Sequence, residues 1–559
     1  MPRPPATPAA PAASRFPNLL PDAVLLLVLP FLYSHAFTSD YVMKDEMALV
    51  GWAPRWPMQS PLAWGAELWR LSGRWLGGFL WNLPFAFAAD DPARLRLVRF
   101  TLVVILAITA VVTRRLLDRT FHAPAATTLL VLAIFTQGPF WSYAGYGAGT
   151  FSNVSSLLLA LAAFALVVPR GTDSAVASWP RLAWAFACLC VVMQIHQGLA
   201  IFGLVPLVAA VLADWPRRAR QSWSLLLLVV LALAVSMALY KWNLASLHAK
   251  GESGYDRGES AMTLLNSPLA ALRIALDPRH YWPAFKLWSF PYPFERVRVL
   301  GGRTVDWAVR IMTAWAALVV LAAVLEARRS AWTAPAIAAK WATFLACLGL
   351  AVLPILADEP GRIPHFMIRP HTSTVAVGVV LVAGAWSLRT ISARWPQRAR
   401  RLLAVAAVAV VATWCVGARS SLRRGLVAPG VAQLAFARSA LAGEGRVSRI
   451  LVVAPSRNGC VYEPCDGWSG GLAQDPLHVV FPGFHRWALA LERGRIEPPP
   501  EVVALSRPPA LPRPEGEVVV DWNEFVRAQA RRKGIDWRSL QRVGGDAAGR
   551  APRPETPAS

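Results

Sequence analysis

Along the chain, apolar runs alternate with polar segments, at about 19–37, 97–113, 124–141, 151–168, 182–195, 198–213, 223–241, 305–325, 341–357, 372–388 and 402–417. Most are long enough to cross the roughly 30 Å of a bilayer's hydrocarbon core. In lipid each segment must satisfy its own backbone polar groups, so the runs are expected to be helices. The pattern predicts an all-α polytopic membrane protein with about eleven transmembrane helices. The stretch 182–213 is too long for one helix and is interrupted by Gln194-Ile195-His196-Gln197-Gly198, so it reads as two short helices meeting at a turn.

The polar connections differ in charge. RRLLDR (114–119), 169–181, WPRRARQSW (215–223), 326–340 and 389–401 hold most of the clustered arginine and fall on one side in strict alternation. By the positive-inside bias that side is cytoplasmic. This places the N-terminus in the cytoplasm and the C-terminus on the outer side of the membrane. Residues 1–18 are Pro/Ala-rich and read as a disordered cytoplasmic leader. The first run reads as a retained helix in preference to a cleaved signal, since SHAFTSD is a mediocre cleavage site. A membrane domain over 19–417 is followed by a small outer-side region over 418–540, where RILVVAP alternates like a strand, and by a disordered tail over 541–559.

Composition agrees with this reading. The 559 residues are 55% hydrophobic and 16% charged, with a mean hydropathy of +0.40. The formal charge of +24 is accounted for by the arginine clusters, and no basic stripe interleaved with aromatics marks a nucleic-acid partner. Cys188, Cys190, Cys347 and Cys415 lie in apolar runs, whereas Cys460 and Cys465 lie in the polar NGCVYEPCDG and are disulfide candidates on an oxidising outer side.

The outer-side segments are 38–96, 142–150, 243–304, 358–371 and the tail. Segment 38–96 carries tryptophans at 52, 56, 64, 69, 75 and 81, which suits interfacial helices. It opens with Asp40, Asp45 and Glu46, three carboxylates within seven residues at the depth where a lipid phosphate emerges. Adjacent carboxylates suit a general base with an electrostatic partner, and one pKa of such a pair is pushed upward. They also have the chemistry to hold a divalent cation such as Mg or Mn; a solvated loop meeting Lys44 is the bland reading. Arg74, in LSGRW, offers a planar fork matched to phosphate oxygens. His196 and Gln197 lie at the outer turn, Tyr143 in FWSYAGYGAGTFSN has the chemistry of a sugar-facing surface, and Arg369 and His371 crowd the short loop 358–371.

Asp45-Glu46, then Gly73-Arg74, then Gln197 resemble, in order and topology, the motifs of GtrII-type bacterial glucosyltransferases, multi-pass enzymes similar to the wider GT-C class. The resemblance covers about residues 20–420; Glu46 in place of a second Asp and His196 before the Gln depart from the family pattern. It implies transfer of a hexose, glucose in that family, from a polyprenyl-phosphate carrier to a surface glycan or lipid acceptor on the outer face. One base would deprotonate the acceptor, and Arg74, Arg369 and His371 would meet the donor phosphate. The absence of a phosphate-cradling glycine loop agrees with a lipid-borne donor. The alternatives are an O-antigen ligase or polymerase working through the Arg/His loop, and a transporter of lipid-linked glycan.

Overall fold

The computed structural model describes residues 19–41, 73–88, 91–168, 177–250, 302–330, 332–357, 370–442, 447–453, 501–505 and 514–521, with isolated positions among 62–69, at 509 and among 524–531. The first half comprises α1 (Leu19–Leu32), α2 (His35–Thr38), α3 (Trp75–Ala88), α4 (Pro92–Phe121), α5 (Pro124–Phe135), α6 (Gly138–Tyr146), α7 (Phe151–Val167) and α8 (Trp179–Ile195). Then come α9 (Gln197–Ala200), α10 (Leu204–Ala213), α11 (Ala219–Ala249), α12 (Gly302–Ala327), α13 (Ala334–Ala357), α14 (Pro370–Ser392), α15 (Gln397–Ser421) and α16 (Ala428–Leu441). Helix therefore occupies every apolar run. Among the described residues, six helices are long and apolar enough to cross a membrane. A seventh span results if the bent pair α5–α6 counts as one. The remaining apolar helices, among them α1, α7 and α8, are 10–17 residues long. The chain is a helical multi-pass membrane protein.

Local chemistry explains where these helices start and stop. Asp91 caps α4 by accepting from Ala93 N at 2.8 Å, with Pro92 in the first turn. His122 closes the other end in the left-handed region, at φ 48°. Between α5 and α6 the axis bends by 62°. α6 opens at Gly138 with Pro139 in its first turn, where the missing N–H leaves no helical hydrogen bond unmade. The expected break of the 182–213 stretch is present: α8 ends at Ile195, His196 is extended at φ −152°, and α9 starts at Gln197.

The buried centre is α10, whose residues Leu204–Leu212 are all inside. It is flanked by α4, α13 and α14. With no hydrophobic effect between helices in lipid, close approach depends on small residues. Gly378 of α14 is such a residue, since a Cβ there would stand 2.6 Å from Val205 Cγ2. The outer faces of α12 and α15 instead expose Val320, Leu321, Leu402 and Val405, as lipid-facing surfaces do.

Polar contacts gather at two opposite ends of the bundle. At the arginine-rich end, the buried carboxylate of Asp22 receives Arg114 Nε at 2.8 Å and Arg115 Nη2 at 2.6 Å, tying α1 to α4. Lys340 Nζ donates to Leu212 O at 2.7 Å, pairs with Glu326 and lies 5.1 Å from the rings of both Trp332 and Trp386. Arg389 reaches the last carbonyl of α4, Phe121 O, at 2.8 Å.

Beyond α15 the helix does not stop. It passes through a π-helical turn, Leu422–Val427, into α16. The strand expected at RILVVAP is β1 (Arg449–Val453), the middle of a three-stranded parallel sheet with β2 (Glu501–Leu505) and β3 (Glu517–Asp521) on either side. Cys460 and Cys465 fall outside the described residues.

Candidate functional site

The end opposite the arginine-rich connections collects the described elements that sequence reasoning singled out. Gly73 has φ +65°, a conformation that glycine adopts without strain, and its N–H donates to Trp69 O at 2.7 Å. A helical turn therefore closes at Gly73, and Arg74 leads directly into α3. A Cβ at Gly73 would lie 3.5 Å from Tyr240 Cα of α11, so this turn rests on α11. Asn243, one turn further along α11, donates its Nδ2 to Trp69 O at 2.9 Å and fixes the same turn from the side.

One turn into α3, Gly77 meets the break between α8 and α9. A Cβ at Gly77 would stand 2.7 Å from Ile195 O and 3.3 Å from Gln194 O. The first turn of α3, just after Gly73-Arg74, is thus in close contact with the end of α8, just before His196-Gln197. His196 is half-buried at the break, with its Cε1 3.5 Å from the position a Cβ would take at Gly198. Gln197 turns toward α11 and donates to Ser236 Oγ at 3.1 Å.

Asp40 and Tyr41 lie at the same end. Asp40 faces Arg96 of α4 at 3.7 Å, both partly exposed. Its neighbour Tyr41 is buried and held from three sides. Arg99, itself 1% exposed, donates Nη2 to Tyr41 O at 2.7 Å and stacks its guanidinium 3.9 Å from the ring centroid. The Tyr41 hydroxyl donates to Gly145 O at 2.8 Å, and a Cβ at Gly430 of α16 would come within 3.0 Å of Tyr41 Cβ. The chain therefore leaves Tyr41 from a rigid anchor. Asp45 and Glu46, four and five residues on, lie outside the described residues, as does Arg369.

Tyr143 is placed differently from a surface-lining residue. It is 1% exposed, and its hydroxyl shares a 2.6 Å hydrogen bond with Thr374 Oγ1, joining α6 to α14. That geometry makes it a packing contact between two helices. His371 lies in the first turn of α14, and its side chain is outside the described residues. Among the described residues no group of three or more His, Cys, Asp or Glu side chains is arranged to hold a metal ion.

Sequence reasoning did not single out Arg96 and Arg99, which meet Asp40 and Tyr41, nor Ser236, Tyr240 and Asn243, which meet Gln197, Gly73 and Trp69. A signal for the arginines was present: Arg94, Arg96 and Arg99 cluster at the start of a span on the side where the positive-inside bias disfavours clustering. Nothing in the apolar face of α11 distinguishes Ser236 from an incidental small residue. Compared with known proteins, no family model matches the chain and no curated protein matches it significantly.

Proposed function

We propose that this chain is a GT-C-like membrane glycosyltransferase with eleven spans, its N-terminus cytoplasmic and its C-terminal region periplasmic. It would move a hexose, glucose by the sequence resemblance, from a polyprenyl-phosphate carrier to a hydroxyl of a surface glycan or lipid at the periplasmic face of the inner membrane. The observation that carries this reading is the close approach of Gly77, three residues after Arg74, to the carbonyls of Gln194 and Ile195 just before His196, at the end of the bundle that also holds Asp40 and Tyr41. The Gly-Arg and His-Gln elements thus lie near one another, at the end of the bundle where Asp40 and Tyr41 lie.

In this reading Asp45 or Glu46 takes the proton of the acceptor hydroxyl, and the neighbouring carboxylate raises its pKa toward neutrality. Asp40, already facing Arg96, is the weaker candidate for the base. Arg74 stabilises the departing lipid phosphate, joined by Arg369 and His371. The fork of an arginine matches two phosphate oxygens at once, which a lysine would not do.

The test is the mass of the surface glycan from cells carrying Asp45→Asn or Glu46→Gln. Loss of the base is expected to slow transfer by about 10²–10⁴-fold, so one variant should lack a single hexose unit. Full modification in both variants, with loss in Arg369→Ala or His371→Ala, would instead favour the ligase or polymerase chemistry of the 358–371 loop.

A further inference from the structure

The π-helical turn after α15 carries charge that the proposed transfer does not use. Arg419, Arg423 and Arg424 fall within six residues there. They stand at the end of the bundle opposite the five arginine-rich connections, because Arg419 hydrogen-bonds the end of α1 at Phe31 O and reaches Ser34 Oγ at 3.1 Å. Sorting bias works against arginine clusters on that side, so their presence calls for a specific counterpart.

The protein supplies no such counterpart among the described residues. At the start of α4, Arg94 pairs with Asp91, Arg96 faces Asp40, and Arg99 holds the Tyr41 carbonyl. Neither Arg419 nor Arg423 meets a carboxylate. One helical turn separates them, so they share a face, and like charges in that relation repel. The π-turn packs against α2, which begins at His35 beyond the end of α1. His35 directly follows Ser34, the residue that Arg419 reaches, so it sits beside the same positive charge. A charge cluster that repels itself is completed by an anion. Its level supplies the anion's nature, since Arg419 lies at the last turn of an apolar helix, where headgroup phosphates lie.

We infer that His35, Arg419 and Arg423 form a binding site for the phosphate of a membrane lipid headgroup, at the junction of α2 and the π-helical turn. Arg419 is pre-positioned by Phe31 and Ser34, while Arg423 is exposed and available to close on phosphate oxygens. The site does not depend on the glycosyltransferase reading and would exist equally in a transporter.

The full chain, purified in a neutral detergent, is titrated with phosphatidic acid, with phosphatidylcholine and with inorganic phosphate, and binding is read by native mass spectrometry. Phosphatidic acid is expected to bind saturably and to weaken about tenfold in Arg423→Glu, with recovery in Arg423→Lys. Arg328→Glu, an exposed reversal at the other end of the bundle, should leave binding unchanged. A thermal melt of each variant separates lost binding from lost fold. Absence of saturable binding, or an equal loss in Arg328→Glu, overturns the site. Competition by inorganic phosphate at the same concentration as the lipid overturns its assignment to a lipid.

Discussion

The contact between α3 and the α8–α9 break can be tested by adding one methyl group. In Gly77→Ala the new Cβ would stand 2.7 Å from Ile195 O and 3.3 Å from Gln194 O, where ordinary contact begins at 3.4 Å. The nearer atom is backbone, so relief requires α3 or the break to move by about 0.7 Å, the shortfall from ordinary contact. Overpacking of this kind costs about 1–3 kcal/mol. Replacing glycine by alanine within a helix returns at most about 1 kcal/mol, which with the full gain leaves a net loss of about 0–2 kcal/mol. Gly349→Ala provides the opposite sign. No atom lies within 4 Å of its Cβ position on the exposed face of α13, and only the propensity gain of up to about 1 kcal/mol remains. A thermal melt of the purified protein should therefore move down for Gly77→Ala and stay level or rise for Gly349→Ala. Glycan modification in cells should fall in the first variant alone, since the shift displaces Arg74 relative to His196. If Gly77→Ala melts above the wild-type temperature, α3 does not dock on Ile195 and the proposed site loses its supporting contact.

Two further outcomes follow from contacts that sequence did not show. Asp22→Asn leaves the guanidinium of Arg114, which has no exposed surface, without its full charge partner, at a cost of about 3 kcal/mol; Asp118, 4.0 Å away, limits the loss. The thermal midpoint should drop in Asp22→Asn and recover in the double replacement Asp22→Leu with Arg114→Met, and an unchanged single variant would contradict the pairing. Tyr143→Phe should cost about 0.5–1.5 kcal/mol and couple to Thr374→Val in a double-mutant cycle, while transfer below the melting temperature stays at wild-type level. Abolished transfer at full stability would restore Tyr143 as a sugar contact.

The helices and their order were legible because lipid imposes a single rule on every segment. A run of apolar residues must be helical, and arginine counting then arranges the runs in alternation. The break at His196 was readable for the same reason, since one helix over 182–213 would place Gln194 and His196 at mid-membrane. What escaped was pairing at a distance. Asp22 and Arg114 are 92 residues apart, and neither carries a local mark that it is buried. Gly138-Pro139 marks where α6 starts, but nothing local in the run 124–141 signals the 62° bend before it. Tyr143 shows the limit of aromatic composition as a guide, because a ring in FWSYAGYG suits an open surface and a helix interface equally well. Of the candidate site, the Gly-Arg and His-Gln elements were readable as separate turns. Their contact was not, since it rests on the missing side chain of Gly77.

The Asp22 pair also sets a schedule for assembly. The carboxylate is near the start of the chain, and its partners emerge 92 and 93 residues later. At about 5–20 residues per second of synthesis, that interval is roughly 5–20 s. Throughout it the carboxylate of α1 has neither guanidinium to meet. Until α4 arrives, water at the arginine-rich end of the bundle takes the place of Arg114 and Arg115, and docking of α4 on α1 exchanges that water for the buried pair.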